Sequence, residues 1–294
     1  MHDHPHGRLS GDKRRLTITL ALAASYMVAE FVGGWLADSL ALLADAGHMF
    51  ADVGALALSL VAMWIAGRPP TARRTFGYYR AEILAALTNG ALLWAISIFI
   101  LVEAATRIQT PHEVRGGLML AIALGGLVVN LIALAVLRGG VDDSLNIRGA
   151  WLHVLSDLLG SIGAIAAGVL IWAFGWEWAD PVISIVITLL ILYSGWGLVQ
   201  ESVAILMESA PRGIDVDQVR DALVALDGVK SVHHLHVWTI TSGLHALAAH
   251  VIVDVPPPHH DLLEQMRTVL HDRFGLDHIT VQIEPEDWQA ECRV

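Results

Sequence analysis

Six long apolar segments, separated by short polar stretches, make up most of the first 200 residues. They cover residues 16–36, 40–66, 83–106, 117–137, 150–174 and 181–200. A helix rises about 1.5 Å per residue, so about 20 apolar residues cross the roughly 30 Å hydrocarbon core of a bilayer. The pattern therefore predicts six membrane-spanning helices.

The pattern changes around Pro211, where short amphipathic segments replace the long apolar ones. Helical and alternating periods follow one another in the order αββαβ. We therefore predict an α-helical membrane protein with a small α+β domain at its carboxyl end. The expected divisions are a flexible histidine-rich tail (1–12), a six-helix transport domain (13–208) and a metal-binding regulatory and dimerisation domain (209–294).

Basic residues indicate the orientation of the predicted spans. Arginines and lysines gather before the first span, between spans two and three and between spans four and five, whereas the opposite loops hold only Arg107 and Arg115. Cytoplasmic loops carry such an excess of positive charge. We expect a multi-pass protein of a bacterial inner membrane, with both termini in the cytoplasm and no secretory signal in residues 1–12.

Composition agrees with a membrane protein and limits the chemistry. The chain is 55% hydrophobic and 16% charged, with a mean hydropathy of +0.57. Its single cysteine, Cys292, excludes a disulfide framework and a cysteine-based zinc motif. The net charge of −11 is concentrated in the tail, where 15 acidic residues stand against 6 basic ones from Glu201 onward.

Two matched motifs lie inside the predicted spans: HMFAD in span two and HVLSD in span five. Each places a histidine and an aspartate four residues apart, on one helix face: His48 with Asp52, and His153 with Asp157. Isolated polar groups are costly in hydrocarbon, and two imidazoles with two carboxylates suit tetrahedral zinc. The motifs favour a metal site over a purely structural hydrogen-bonded network.

Other polar residues in the spans need separate interpretations. Glu103 and Asp180 lie near span ends, where charged residues are commonly structural; Glu30 and Asn130 are scattered over other spans. Asp45 shares the face of His48 and lies either on the ion path or against backbone at a helix crossing. Close packing of spans two and five is predicted from the small residues of span five, which include Gly149, Gly160, Gly163 and Gly168.

Nine of the fifteen histidines fall in the carboxyl-terminal domain. Strand alternation predicts that His234 and His236 share one sheet face and that His233 points to the other. His250 lies on the next strand and Glu284 on the last, so we expect a second metal site in this domain. The amino-terminal His2, His4 and His6 are interpreted equally well as loose metal ligands or as a solvated tail.

Several motifs together resemble the cation diffusion facilitator family of zinc-transporting six-span carriers. They are SLALLADAGHMFADVGAL, TFGYYRAEILAAL, HVLSDLLGSIG, ADPVISI, VHHLHVWTI and ITVQIEP. The resemblance covers nearly the whole chain after residue 12. It implies a homodimer of the zinc-preferring branch whose tail domain is similar to small copper chaperones, with a ferredoxin-like fold.

The same resemblance implies which residues hold metal. The transport site corresponds to His48, Asp52, His153 and Asp157. The tail ligands of relatives match His233 or His250 and Glu284, with His260 a further candidate, and Gln282 stands where some members have a ligating histidine. The stretch RPPTARRTFGYYR lacks the aspartate and histidine of relatives with a site between spans two and three, so none is expected there.

The implied function is zinc efflux, not enzymatic catalysis. Cytoplasmic Zn²⁺ would be exchanged for protons by alternating access, since metal and protons compete for the same lone pairs. Zinc would also bind the acidic tails as a regulatory ligand. A non-transporting membrane zinc sensor is the alternative; the paired aspartates argue against a b-type cytochrome, and the absence of HExxH argues against an intramembrane protease.

Overall fold

The structure, a computed structural model, describes residues 6–139, 145–254 and 259–285. His2, His4 and Cys292 lie outside these ranges. The chain divides into two compact units, one made of residues 1–58 and 88–197 and the other of residues 59–87 and 198–294. The second unit therefore combines the carboxyl-terminal domain with the ends of three long helices.

Six helices are long and apolar enough to cross a membrane, as the sequence predicts. Their bounds are α1 His6–Ala37, α2 Leu40–Ala66, α3 Ala81–Gln109, α4 Gly116–Arg138, α5 Leu145–Phe174 and α6 Ala179–Leu206. Residues 6–12, which the sequence assigns to a flexible tail, lie in α1. Residues 6–15 contain no proline, so the helix begins before the apolar segment that starts at residue 16.

Small side chains dominate the centre of the helical bundle. Alanines of α2, α3 and α5 are fully or almost fully buried, among them Ala41, Ala51, Ala104 and Ala167. Small residues allow helix backbones to approach closely, which replaces the hydrophobic driving force that lipid does not supply. Many large apolar side chains lie on the outside, and Trp35, Leu60 and Tyr193 are among the exposed ones.

Asp180, in the first turn of α6, holds the start of α2. Its carboxylate is completely buried and accepts hydrogen bonds from Ser39 Oγ at 2.6 Å, Leu40 N at 2.8 Å and Ala41 N at 3.1 Å. The first N–H groups of a helix have no partner within the helix and attract negative charge. Asp180 thus supplies the cap of α2 from a helix 140 positions later in the chain.

A second polar cluster fixes the turn between α1 and α2. Arg107 donates to the carbonyl oxygen of Asp38 at 2.7 Å, to its carboxylate at 2.8 Å and to Glu103 at 3.0 Å. Asp38 has a φ of 53°, a left-handed conformation that these contacts hold in place. The structural interpretation of Glu103 and Asp180 is confirmed.

The carboxyl-terminal domain has the predicted αββαβ order. It consists of α7 Val216–Val224, β1 Val229–Thr241, β2 Leu244–Val253, α8 His260–Phe274 and β3 His278–Pro285. β2 lies in the middle of the sheet, antiparallel to β1 and parallel to β3. Both helices pack on one face of the sheet through a core that includes Leu223, Leu247, Met266 and Leu270.

Within the second unit, the turn between β1 and β2 binds the start of α3. Glu82 accepts hydrogen bonds from Thr241 Oγ1 at 2.6 Å and from Ser242 Oγ at 3.0 Å. Arg80 also donates to Glu208 at 2.7 Å, just after α6. These contacts help to explain why the start of α3 belongs to the same compact unit as the sheet.

We predict that Asp180→Ala destabilises the protein by about 3 kcal/mol, because it leaves three buried donors without an acceptor. Thermal unfolding of the purified chain in detergent measures the effect. Asp180→Asn is the matched control, since its amide oxygen still accepts and its loss is expected to be about 1 kcal/mol. Equal losses in the two variants would contradict the capping role.

Candidate metal centre

The four residues predicted for the membrane site come together between α2 and α5. His48 and Asp52 lie one helical turn apart on α2, and His153 and Asp157 do the same on α5. His153 Nε2 is 3.1 Å from Asp52 Oδ2 and 3.7 Å from Asp157 Oδ2. His48 Nε2 is 3.5 Å from Asp52 Oδ2 and 3.8 Å from Asp157 Oδ1. Each histidine therefore faces both aspartates.

These separations match the spacing of ligand atoms around one ion. Nitrogen and oxygen atoms about 2.0–2.1 Å from a tetrahedral zinc ion lie about 3.3–3.4 Å from one another. The measured distances of 3.1–3.8 Å lie on both sides of that value. The two imidazole rings are 5.8 Å apart in an edge-to-face arrangement, which leaves room between their nitrogens for a shared ion.

The hydrogen bonding of the site is incomplete without a further partner. Asp157 Oδ1 and His48 Nδ1 are buried and have no hydrogen-bond partner among the described residues. A buried carboxylate oxygen without a donor costs free energy, and a cation is the partner that satisfies it. His48, His153 and Asp157 offer ligand atoms within 4.8 Å of one another, whereas Asp52 lies close to both histidines but outside this group. The donor set of two imidazole nitrogens and two carboxylates therefore suits the charge of a divalent ion.

One side of the site borders a cavity of about 390 Å³. The side chains of His153 and Asp52 are 47% and 37% exposed, whereas His48 and Asp157 are 17% and 12% exposed. Most of the lining is apolar and comes from α1, α2, α4 and α5, including Leu16, Leu20, Val53 and Leu56. The cavity thus connects the ligands to the end of the bundle at which α1 begins.

Asp45, whose role the sequence leaves open, lies on the other side of the site. It is 4% exposed and its carboxyl faces Glu30 of α1 and Gly160 of α5. A Cβ atom on Gly160 would lie 3.3 Å from Asp45 Oδ1, so the glycine makes room for this carboxyl. Sequence reasoning missed the pairing with Glu30, although both acids lie at similar distances along the chain from the α1–α2 turn.

The glycines of α5 contact different helices. Gly160 approaches α2, as predicted, but Gly163 lies against Ile183 of α6 and Gly168 against Leu120 of α4. A Cβ atom on Gly149 would meet nothing within 4 Å in the described part of the chain. The small residues therefore bring α5 close to three neighbours, because they are spread around the helix and do not form one stripe.

A second cluster lies on the sheet of the carboxyl-terminal domain. Glu284 is 1% exposed and accepts hydrogen bonds from His233 Nε2 at 3.0 Å, His250 Nδ1 at 2.7 Å and Gln282 Nε2 at 2.8 Å. Burial alone would raise the pKa of Glu284, but the hydrogen bonds from His233 and His250 outweigh it and hold the pKa below its usual value. His233, His250 and Glu284 each offer an atom within 4.8 Å of the others, a spacing compatible with one metal ion.

One part of the predicted alternation of the β1 histidines is wrong: His233 does not point away from His234, although the rings of His234 and His236 do lie 6.4 Å apart. The ring of His234 lies 5.3 Å from that of His233 and 5.4 Å from that of His250, so it joins their cluster. The strand register shifts between His233 and His236, and His234 has a φ of 46°. A β-bulge inserts an extra residue and redirects the side chains beside it, which a simple period of two does not anticipate.

The remaining candidates of this domain lie apart from that cluster. His260 begins α8 and is exposed, and the group formed by His233, His250 and Glu284 does not include it. Gln282 donates to Glu284. The cluster thus offers two imidazoles and one carboxylate, with His234 adjoining.

Comparisons with known proteins agree over both parts of the chain. Residues 16–207 match the family described as the cation efflux transmembrane domain, and residues 211–286 match the cation efflux protein cytoplasmic domain. A metal cation efflux system protein CzcD of Cupriavidus metallidurans is 43% identical over 284 residues, which are 96% of this chain and 89% of the relative.

Two further relatives have similar coverage. A cadmium, cobalt and zinc/H(+)-K(+) antiporter of Bacillus subtilis is 43% identical over 289 residues, 97% of this chain and 92% of the relative. The zinc transporter ZitB of Escherichia coli is 43% identical over 288 residues, 96% of this chain and 91% of the relative. The similarity therefore extends over nearly the full length of each protein.

Proposed function

Because this chain belongs to the cation efflux family of transmembrane transporters, we propose that it exports zinc in exchange for protons through the site formed by His48, Asp52, His153 and Asp157. The observation that carries the proposal is the convergence of two His-Asp pairs from different helices, with nitrogen–oxygen separations of 3.1–3.8 Å. A helical bundle with only a structural role would gain no stability from four polar side chains placed together in the membrane.

The donor set favours zinc as the transported ion. Imidazole and carboxylate ligands in fours suit tetrahedral Zn²⁺, whereas calcium and magnesium take more oxygen ligands. Two aspartates balance the charge of a divalent ion, so the loaded site is close to neutral within the bundle. Relatives named as zinc transporters or as cadmium, cobalt and zinc antiporters support a divalent metal of this class.

Proton exchange follows from the same ligands. Metal binds the deprotonated forms of histidine and aspartate, so each proton that leaves the site favours metal and each proton that returns displaces it. Histidine changes charge near neutral pH, where such a competition is sensitive to a modest pH difference. A relative is named as an antiporter that uses H⁺ and K⁺, which supports coupling to a counter-ion.

The cavity beside His153 and Asp52 gives the ion a path from one end of the bundle. Basic residues at that end indicate that it faces the cytoplasm. At the other end, buried Asp45, Glu30 and Tyr26 close the path behind the site. Zinc thus loads from the cytoplasm, and a rearrangement of the helices then exposes the site to the opposite side, as in carriers that work by alternating access.

Asp157→Asn is expected to lower zinc flux at least about 100-fold, because it removes a buried anionic ligand while preserving side-chain shape. The measurement is zinc and proton movement in proteoliposomes with an imposed pH difference. Glu103→Gln is the matched control: it removes an intramembrane carboxylate that pairs with Arg107, away from the site.

Zinc binding without flux, in the unaltered protein as in the variants, would overturn the transport proposal and favour a membrane zinc sensor. Equal zinc flux in Asp157→Asn and in the unaltered protein would leave transport intact but exclude this site. The assay therefore separates the two ways in which the proposal can fail.

We also propose that the carboxyl-terminal domain holds a regulatory metal site. His233, His250 and Glu284 hold zinc there, with His260 a further candidate, and the chain acts as a homodimer through this domain. The family match to a cytoplasmic domain supports this assignment. The tails are strongly acidic, so bound zinc reduces the repulsion between two subunits.

Zinc is expected to increase the dimer fraction of the full-length protein, lowering the apparent dissociation constant about tenfold. Analytical ultracentrifugation in detergent measures the change. The double variant His233→Ala, His250→Ala is expected to lose this response to zinc. The control His245→Ala, whose residue lies outside the cluster, is expected to keep it. A dimer fraction that does not respond to zinc would exclude the regulatory role.

A further inference from the structure

A second cavity, which we call the loop cavity, lies beside the loop that joins α2 to α3. It has a volume of about 490 Å³, and residues 73–80 of the loop supply most of its walls. The other walls come from the start of α3, from Glu208 just after α6 and from Trp238 and Ile240 of β1, all within the second compact unit. Because the loop connects two membrane-spanning helices, the cavity lies where the chain leaves the hydrocarbon.

The charge of the loop cavity is mainly positive. Arg73, Arg74 and Arg80 line it, and Glu208 is the only carboxylate among the described residues that do so. Arg80 donates to Glu208 at 2.7 Å, whereas neither Arg73 nor Arg74 pairs with a carboxylate in the described part of the chain. Two exposed guanidinium groups can therefore donate hydrogen bonds to an anion from outside the protein.

Aromatic and backbone contacts give the loop a defined shape. The guanidinium of Arg74 lies 4.6 Å from the centre of the Tyr78 ring, within the range of a cation–π contact. The ring of Phe76 lies 5.4 Å from that of His278, at the start of β3. Thr71 and Arg74 exchange two backbone hydrogen bonds, of 3.1 and 3.0 Å. An anion site on this loop is therefore largely preformed, which lowers the entropic cost of binding.

Apolar side chains flank the charged loop on both helices. Met63 and Trp64, near the end of α2, are each 66% exposed, and Leu84 of α3, which also lines the cavity, is 53% exposed. The Arg68 guanidinium lies 4.2 Å from the Trp64 ring, so charge and apolar surface meet directly. A ligand that matches this boundary has an anionic head and an apolar body. A phospholipid has both, whereas a free phosphate or a nucleotide lacks the apolar body.

We propose that the loop cavity binds the headgroup of an anionic phospholipid, with Arg73 and Arg74 donating to its phosphate. The planar fork of arginine matches two phosphate oxygens at once. The acyl chains lie along the exposed apolar side chains at the ends of α2 and α3. Three guanidinium groups against one carboxylate favour an anionic lipid over a zwitterionic one, whose ammonium group would be repelled. This binding is independent of the proposed zinc transport.

The alternative is that these arginines only fix the orientation of the helices in the membrane. Orientation depends on positive charge alone, so lysine serves it as well as arginine, and neither a cavity nor aromatic walls are needed. A phosphate site depends on the shape of the guanidinium group as well as on its charge. Substitutions that keep the charge but change the shape therefore distinguish the two roles.

The experiment counts lipids bound to the full-length protein by native mass spectrometry in detergent, with phosphatidylglycerol, phosphatidylcholine or inorganic phosphate added. The unaltered protein is expected to bind phosphatidylglycerol at least about tenfold more tightly than phosphatidylcholine. The double variant Arg73→Gln, Arg74→Gln is expected to bind phosphatidylglycerol about 30-fold more weakly, since each basic residue beside an anionic lipid contributes about fivefold. The variant Arg73→Lys, Arg74→Lys is expected to bind it at least about threefold more weakly.

The matched control is the double variant Arg138→Gln, Arg148→Gln. It removes the same charge from the ends of α4 and α5, which meet the same membrane surface because successive spans alternate in direction, and neither residue lines the loop cavity. This control is expected to bind phosphatidylglycerol within about twofold of the unaltered protein. All the substituted side chains are exposed, so thermal unfolding in detergent is expected to be unchanged in each variant.

A photoactivatable phosphatidylglycerol in liposomes locates the site, and its label is expected on residues 73–84. Equal binding of the two lipids by the unaltered protein would overturn the proposal, as would an equal loss in the glutamine variant and the control. Full binding by the lysine variant would also overturn it, in favour of charge that only sets orientation. Displacement of the lipid by inorganic phosphate at equal concentration would assign the cavity to free phosphate and exclude a lipid site.

Discussion

Polar and charged side chains inside a membrane-spanning bundle cannot exchange a lost partner for water, so each must find a counterpart within the protein. Arg107 pairs with Glu103 and Asp38, and Asp180 accepts hydrogen bonds from the first N–H groups of α2. Both clusters are complete, and both lie at the turn where α1 gives way to α2. They fix the start of α2, which carries two of the four metal ligands.

The four-ligand site differs because its polar groups are not fully satisfied. Asp157 Oδ1 and His48 Nδ1 have no donor or acceptor in the described part of the protein. The same incompleteness recurs at Glu30 Oε2. Zinc would be a partner for Asp157 Oδ1, whereas the satisfied carboxylates of Asp180 and Glu103 hold helices in place. Function and stability are thus divided between neighbouring polar clusters in one bundle.

Much of this arrangement could be predicted from the sequence because it depends on local spacing. The length of apolar segments predicts the six helices, and a separation of four residues places His48 with Asp52 and His153 with Asp157 on common faces. The αββαβ order follows from a change of period after Pro211. Features that depend on tertiary contacts could not be predicted: the bulge that turns His234 toward His250, and the union of residues 59–87 with the sheet domain.

The pairing of Glu30 with Asp45 belongs to the second kind, since neither residue has a neighbour in sequence that reveals its partner.

The central claim is that both His-Asp pairs bind one zinc ion. X-ray absorption at the zinc edge tests it most directly, on full-length protein from which the tail cluster is removed by His233→Ala, His250→Ala and Glu284→Ala. The account predicts four nitrogen and oxygen ligands at about 2.0 Å, two of them imidazoles. Six oxygen ligands, or a spectrum unchanged by adding Asp52→Ala and His153→Ala, would contradict it.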